Sequence, residues 1–179
     1  SSDYRFDLSA PASWNTRSAL SNPVAPPDGA RLRMLDVVDG WWPEAGSAGL
    51  GQLRAYKDID ANEWFFKAHF FQDPVQPGSL GIEAMIQLLQ FYMLETGMDA
   101  GIERPGFESL AIAREHSWKY RGQVLPQHRR VHTTLEILER GRDQRGAFAT
   151  ATASLWADGR RIYEMPALGL RIVSAAGAA

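Results

Sequence analysis

The sequence contains no cysteine among its 179 residues. Disulfide bonds and thiolate chemistry are therefore excluded, and the chain suits a reducing compartment, so we expect a cytoplasmic protein. An excess of positive charge is also missing, since the formal net charge is -2. Because phosphate binding depends on basic surface, this balance gives no reason to expect nucleic acid as a partner.

Long apolar runs are absent as well. No stretch reaches the roughly eighteen apolar residues that mark a transmembrane helix, and no cationic, apolar leader indicates secretion. With 45% hydrophobic and 22% charged residues, the composition is typical of one globular domain with a substantial core. We therefore expect no membrane span.

The first part of the chain differs in composition from the rest. Residues 1–29 are rich in Ser, Pro, Ala and Asn, which predicts an arm or linker. Phe6, Trp14 and Leu20 could still anchor this arm on the domain. We place the folded domain at residues 30–173 and a C-terminal tail at 174–179, and both ends suggest a chain cut from a longer polypeptide.

The most informative segment is residues 69–94, and its main feature is an apolar helix that carries one acid. Between residues 79 and 95 apolar side chains fall on all sides of a helical projection, which predicts a helix enclosed by protein. Glu83, Gln87 and Gln90 form one polar line along it. Since a buried, unpartnered carboxylate is costly, Glu83 should face a cavity, a partner or water, with Gln87 able to orient it.

A Pro/Gly loop connects His69 to this helix. Pro74, Pro77 and Gly78 turn the chain sharply. His69 and Glu83 could therefore face a common point. Pro77 and Gly78 also place the helix N-terminus here, where unpaired N–H groups favour a developing negative charge.

The remaining pattern predicts an α+β fold. Residues 31–38 and 50–59 are predicted strands, and Asp60 with Glu63 has the capping-box spacing of a short helix before His69. The central helix should end at Gly97. Two strands, one buried helix and four further strands indicate a curved antiparallel sheet wrapped around the helix.

The four further strands follow a Gly/Pro loop. Their residues are rich in β-branched and aromatic side chains and partly alternate in polarity. They comprise residues 110–124, 130–138, 147–157 and 160–173. Asp158-Gly159 predicts a type I′ hairpin turn, and the charged residues 139–145 predict a solvated hairpin tip.

Two other histidine positions suggest a metal site at first. His128 and His132 have an H-x3-H spacing, but four residues on a strand separate the side chains by about 13 Å. One ion cannot bridge that distance, so we predict no metal site. Arg114 and His116 are interpreted as strand-surface residues.

Residues 69–85, HFFQDPVQPGSLGIEAM, resemble a known active-site motif. It is H-F-x-x-D-P-V-x-P-G-x-L-G-x followed by an acid, from the β-hydroxyacyl-acyl carrier protein dehydratases. Further segments resemble the dehydratase domains of polyunsaturated fatty acid synthases: WFF at 64–66, WKYRGQV at 118–124, ASLW at 153–156 and RIYE at 161–164. The resemblance covers residues 30–173 and implies the hot-dog fold.

The resemblance also implies an activity, the dehydration of a (3R)-3-hydroxyacyl thioester on an acyl carrier protein to the trans-2-enoyl thioester. His69 would be the general base and Glu83 the acid for the departing hydroxyl, which requires a neutral carboxyl when substrate binds. The Val75 carbonyl would fix the His69 tautomer, and the Gly78 amide would hold the thioester oxygen. No metal or redox cofactor is needed.

The resemblance has consequences for assembly and product. In the dehydratase families the histidine and acid of one site come from opposite subunits, so we expect a homodimer or a pseudo-dimer with a neighbouring hot-dog domain. Isomerising relatives carry Asp where this chain has Glu83 and often Cys where it has Ser79. Little or no isomerase activity is therefore expected.

Other interpretations stay open. A hot-dog acyl thioesterase would use a helix carboxylate and water without requiring the loop after His69. A catalytically silent domain would dimerise or hold acyl chains within a synthase. Without the motif, His69 would be interpreted as a packing histidine, and Val75 and Gly78 as turn residues. A Glu83 that merely touches solvent through a groove is disfavoured by its apolar neighbours, and Gln87 is equally compatible with either role.

Overall fold

The computed structural model describes residues 4–8, 32–108 and 117–174. In this part of the chain an eight-stranded antiparallel sheet has the order β1-β2-β3-β6-β7-β8-β4, with β5 also paired to β8. The strands are β1 (Phe6–Asp7), β2 (Val37–Trp42), β3 (Gln52–Asp58), β4 (Pro105–Phe107), β5 (Lys119–Tyr120), β6 (Arg130–Asp143), β7 (Gly146–Ala157) and β8 (Arg160–Ser174). Two helices, α1 (Trp64–Ala68) and α2 (Gly78–Glu95), lie between β3 and β4.

Helix α2 is the centre of the core. It packs against β3, β6, β7 and β8, and most of its side chains are buried. The positions with more exposure form a single stripe of Ser79, Ile82, Glu83, Ile86 and Gln90. The predicted enclosed helix within a curled antiparallel sheet is confirmed, and this is the hot-dog architecture.

The ends of α2 also follow the sequence. Pro77 is the N-cap residue and the helix begins at Gly78. After its last residue, Gly97 has a φ of +69°, the left-handed conformation that glycine adopts without steric cost. The prediction that the helix ends at Gly97 is therefore confirmed. None of the described helices has both the length and the apolarity needed to cross a bilayer.

The hairpins after the helix agree well with the pattern of polarity. β7 and β8 lie within about one residue of the predicted bounds. Asp158 and Gly159 between them have φ values of 44° and 85°, as a type I′ turn requires at both central positions. The predicted β7–β8 hairpin is therefore confirmed.

The capping box predicted at Asp60 is wrong. The Asp60 Oδ1 atom accepts hydrogen bonds from the backbone N–H (2.8 Å) and side-chain amide (3.1 Å) of Asn62, so this carboxylate closes a local turn instead. α1 begins later, with Glu63 as an N-cap residue that makes no side-chain capping bond. The Glu63 carboxylate lies 2.8 Å from Lys57 Nζ instead, which ties α1 to strand β3.

Two predicted strands are displaced. The strand expected at residues 31–38 is found at Val37–Trp42, because the preceding backbone groups bond to the side chain of Gln87 on α2. Of the strand expected at 110–124, residues 110–116 lie outside the described residues. Only Lys119–Tyr120 forms a strand in the remainder.

The charged run at residues 139–145 contains the predicted solvated hairpin tip, since the β6–β7 turn lies at residues 144–145 and all residues of the run except Gly141 are exposed. Strand β6 continues through most of it, after a bulge at its middle. Arg140 Nη1 donates to the Tyr92 hydroxyl (3.2 Å), and Arg142 Nη2 donates to the Met98 carbonyl (2.8 Å). Since cations favour the C-terminal end of a helix, these arginines secure the end of α2 to the sheet.

The described part of the N-terminal arm is integrated into the sheet. Phe6 and Asp7 pair with Val38 and Val37 of β2. Leu8 follows with 0% exposure and belongs to the hydrophobic core. Phe6 anchors the arm as anticipated, whereas Trp14 and Leu20 lie outside the described residues.

Replacing Leu8 with alanine tests whether this arm is part of the folded unit. We expect Leu8→Ala to lower the free energy of unfolding by about 2–5 kcal/mol, since a large buried side chain is removed from the core. Leu138→Ala is the matched control because Leu138 is exposed, and its effect should stay within about 0.5 kcal/mol. Chemical denaturation measures both, and equal stability of the two variants would contradict the assignment.

Candidate active site

His69 ends α1 and is oriented by the loop that follows it. Its backbone N–H donates to the Phe65 carbonyl (2.9 Å), and its ring Nδ1 lies 2.9 Å from the Val75 carbonyl oxygen. A carbonyl oxygen can only accept, so this hydrogen bond requires the proton on Nδ1. The Nε2 atom of the neutral ring is then left with a lone pair able to accept a proton.

The turn between His69 and Val75 is conformationally strained. Phe70 and Gln72 have φ values of 63° and 64°, a left-handed conformation that costs side-chain-bearing residues about 1–3 kcal/mol each. Val75 is buried and holds the far end of the turn in the core. Such strain is often found at functional sites, and here the packing imposes the conformation that brings the Val75 carbonyl to the His69 ring.

Glu83 lies on the partly exposed stripe of α2. Gln87, one turn further on, donates from Nε2 to Glu83 Oε1 over 2.9 Å. Gln87 itself is only 8% exposed. The carboxyl group is thus held by one oxygen, while the other oxygen remains available for further interactions.

The Gln87 amide is in turn held by the backbone that precedes β2. Its Oε1 accepts from the Met34 N–H (2.9 Å), and its Nε2 also donates to the Leu32 carbonyl (2.7 Å). Because one partner is a donor and the other an acceptor, only one orientation of the amide satisfies both. Sequence reasoning missed Leu32 and Met34, since any residue type supplies the same backbone groups.

Gly78 is the first residue of α2. The N-cap residue Pro77 makes no side-chain capping hydrogen bond, so the first-turn N–H groups are not capped by a side chain. The positive end of the helix dipole lies at the same point. The arrangement can stabilise negative charge on a ligand oxygen.

Two tyrosines that sequence reasoning did not assign lie beside Gly78. A Cβ atom added at Gly78 would be 3.5 Å from both the Tyr120 ring and the Tyr163 hydroxyl oxygen. The two rings contact each other with centroids 5.0 Å apart. The only signal in the sequence was indirect, because the WKYRGQV and RIYE segments that carry the resemblance contain these residues.

The catalytic candidates form two separately organised halves. His69 is positioned by Val75, whereas Glu83 is positioned by Gln87. Within the described residues of one chain, no hydrogen bond or salt bridge joins His69 to Glu83. His69 and Glu83 are therefore each oriented by a separate hydrogen bond, and neither orientation depends on contact between the two residues.

The other two described histidines, His128 and His132, have structural partners. His128 Nδ1 accepts a hydrogen bond from the Leu125 N–H (2.9 Å). His132 packs edge-on against Tyr56, and burial lowers its pKa. Across residues 4–8, 32–108 and 117–174, no group of His, Asp or Glu side chains could hold a metal ion. Arg114 and His116 lie outside the described residues.

Comparison with protein families identifies the class. The model of the FabA-like domain matches residues 26–166. The chain therefore belongs to the FabA-like domain family.

One curated relative is a protein of a polyunsaturated fatty acid synthase. Over 153 residues the chain is 33% identical to a polyunsaturated fatty acid synthase protein of Thraustochytrium sp. (strain ATCC 26185 / S-3), a match that covers 84% of this chain but 10% of that protein. The chain thus spans about a tenth of the length of this curated relative.

One solved structure supports the fold, and a second is similar at a lower score. A mutant of the fluoroacetyl-CoA-specific thioesterase FlK has a TM-score of 0.52 at 10% identity, covering 69% of this chain and 85% of that one. A hypothetical thioesterase with coenzyme A from Streptococcus pneumoniae TIGR4 has a TM-score of 0.48 at 9% identity, covering 69% and 79%. At 10% identity the FlK likeness shows the hot-dog fold and carries no statement about activity.

Replacing Gln87 with leucine tests the hydrogen bonds that hold Glu83. Gln87→Leu would leave the Leu32 carbonyl and the Met34 N–H without their partner. The Met34 N–H is the buried member of the pair. Leaving a buried donor unpaired costs about 1–3 kcal/mol, and we expect the free energy of unfolding to fall by about that amount.

Gln90→Leu is the matched control, since Gln90 is on the same helix and only partly buried. Chemical denaturation should show at most a small loss of stability for this variant. Equal stability of Gln87→Leu and Gln90→Leu would show that the Gln87 bonds contribute nothing to the fold.

Proposed function

We propose that this domain dehydrates (3R)-3-hydroxyacyl thioesters to trans-2-enoyl thioesters. The hydrogen bond between His69 Nδ1 and the Val75 carbonyl is the observation that carries the proposal. It leaves Nε2 with a lone pair that can accept a proton, as a general base requires. Membership of the FabA-like domain family supports the same chemistry.

The reaction divides between the two halves of the site. His69 Nε2 removes the proton from C2, and the electrons of that C–H bond form the C2=C3 double bond as the C3–O bond breaks. Glu83 gives its proton to the departing hydroxyl, which leaves as water. Gln87 positions the acid through its bond to Glu83 Oε1, and no metal or redox cofactor takes part.

Negative charge develops on the thioester oxygen when the C2 proton is removed. The Gly78 amide at the start of α2 is the proposed donor to that oxygen. Preorganised backbone donors of this kind favour the transition state over the ground state, because the charge they meet is absent from the substrate. Gly78 thus completes a site of base, acid and oxyanion donor.

The proposed substrate is carried by a phosphopantetheine arm on an acyl carrier protein. Similarity to the polyunsaturated fatty acid synthase protein of Thraustochytrium supports a role in a synthase of that kind. Because His69 and Glu83 have no direct bond within the described residues of one chain, we propose that each pairs with the complementary residue of a second hot-dog domain. That second domain is another copy of this chain or a neighbouring domain of the synthase.

Product analysis tests the proposed reaction. Incubation with carrier-bound 3-hydroxyacyl substrates of graded length should give a mass loss of one water, and chromatography should identify the trans-2-enoyl product. We expect little 3-enoyl product, since this chain has Glu83 and Ser79 where isomerising relatives carry other residues.

Other products would contradict specific parts of the proposal. Release of free acid would identify a thioesterase, and unchanged substrate at every chain length would indicate a silent domain. Formation of the 3-enoyl isomer as fast as the 2-enoyl product would overturn the expectation about isomerisation.

Substitution of the proposed base and acid tests their roles. His69→Ala and Glu83→Gln should each lower kcat by about 10²–10⁴-fold, the usual contribution of a positioned base or acid. Because Glu83→Gln keeps the side-chain shape and removes only the titratable proton, it should change kcat far more than KM. Steady-state kinetics on the enoyl-forming reaction, with thermal unfolding as a folding control, provides the measurement.

Mixing the two inactive variants tests the shared site. In an exchanging homodimer, one of the two sites should regain both wild-type residues and therefore activity. Mixed dimers that stay inactive after verified exchange would place the whole site within one protomer.

A further inference from the structure

A buried tyrosine hydroxyl lies beside the N-terminus of α2 without a hydrogen-bond partner. Tyr163 on β8 is 1% exposed, and its hydroxyl is among the buried polar atoms of the described residues that make no hydrogen bond. The oxygen lies 3.5 Å from the position of a Cβ atom at Gly78. Leaving a buried hydroxyl unpaired destabilises a fold, so its retention requires an explanation.

The packing around Tyr163 holds its ring in this position. A Cβ atom at Gly81 would overlap the Tyr163 ring, so the ring occupies space that only a glycine in α2 leaves free. Leu155 on the neighbouring strand β7 also approaches the Gly81 position, at 3.0 Å. Helix and sheet together therefore direct the hydroxyl toward the start of α2.

Tyr120 covers this hydroxyl from the outer side. Its ring is 47% exposed and packs against Tyr163 with centroids 5.0 Å apart. Burial, with a smaller contribution from Tyr120, raises the pKa of Tyr163 well above its usual range. Tyr163 therefore keeps its proton at physiological pH. The Tyr120 hydroxyl lies near its oxygen, but the pair does not have the distance and angles of a hydrogen bond.

From this geometry we propose that the Tyr163 hydroxyl is a second hydrogen-bond donor to the thioester carbonyl oxygen, beside the Gly78 amide. The inference rests on the proposed function, which supplies the thioester. Movement of the half-exposed Tyr120 ring admits the carbonyl group to the hydroxyl. Tyr163 donates a hydrogen bond and transfers no proton, so His69 and Glu83 remain the groups that accept and supply protons in the reaction.

Two hydrogen-bond donors stabilise negative charge on the thioester carbonyl oxygen better than one. Charge accumulates on it as the C2 proton leaves, and a protein donor in a water-excluded site stabilises that charge more than water does. The cost of the unpaired hydroxyl in the free protein is then offset when the hydrogen bond forms in the transition state.

The Tyr163→Phe variant separates this role from a packing role. It keeps the ring and removes only the hydroxyl. We expect kcat for enoyl formation to fall about 10²-fold, the lower end of the loss on removing one oxyanion donor, while KM changes little. The thermal midpoint should stay the same or rise, because an unpaired buried group has been removed.

Tyr92→Phe is the matched control, on helix α2 itself. Tyr92 is also buried, but its hydroxyl donates to the Leu50 carbonyl (3.0 Å) and accepts from Arg140 (3.2 Å). It is roughly 21 Å along the helix from Gly78. We expect Tyr92→Phe to lower the thermal midpoint while kcat remains near the wild-type value.

A spectroscopic readout tests the hydrogen bond without turnover. A trans-2-enoyl pantetheine thioester with a ¹³C-labelled carbonyl serves as the probe, and infrared difference spectra report its stretching frequency when bound. Hydrogen-bond donation lowers this frequency, so Tyr163→Phe should raise it relative to the wild type. Tyr92→Phe should leave it unchanged.

The outcomes distinguish this inference from the proposed function. A wild-type chain without dehydratase activity would refute the proposed function itself. An active wild type with unchanged kcat and carbonyl frequency in Tyr163→Phe would overturn only the role of Tyr163. A loss of kcat accompanied by a fall in the thermal midpoint and no change in carbonyl frequency would assign Tyr163 to packing.

Discussion

The hydrogen bonds of the Gln87 side-chain amide are the interaction on which the candidate site depends. A carboxyl group on an apolar helix requires a polar neighbour, and Gln87 supplies one to Glu83. The same amide bonds the backbone at Leu32 and Met34, so the acid is linked to the segment that enters β2. One side chain therefore both positions Glu83 and holds the segment before β2 on α2. Removing the Gln87 amide would disturb both.

At the N-terminus of α2, in contrast to Gln87, a buried polar group lacks a hydrogen-bond partner. There the first-turn N–H groups have no side-chain cap, although the Leu80 N–H donates to the Pro77 carbonyl (3.0 Å), and the Tyr163 hydroxyl is buried and unpaired. Such groups destabilise the free domain but are preorganised for a negatively charged ligand oxygen. The hydrogen bond that orients Glu83 and the unpaired hydroxyl beside Gly78 therefore fit the proposed roles, an acid that must be oriented and donors to a charge that appears only during reaction.

Sequence patterns predicted the elements whose signals are local. α2 and its ends followed from its apolar character together with Pro77 and Gly97, and the β7–β8 hairpin from Asp158-Gly159. The capping box failed because Asp60 found a nearer partner in Asn62. The solvated hairpin tip within residues 139–145 was predicted correctly, but the bonds of Arg140 and Arg142 to the distant end of α2 were not, because no local pattern records them.

The sequence by itself determined the residue types of the site, with His69, Glu83 and the loop between them in one specific motif, and it determined the family and the fold. The motif also gave the Val75 carbonyl as the partner of His69. Only the tertiary structure decided the other supporting groups: the backbone of Leu32 and Met34 at Gln87, and Tyr163 at Gly78. The physical reason is that backbone donors and acceptors are the same for nearly every residue type. Contacts between residues far apart in the chain depend on packing, and spacing along the sequence does not encode them.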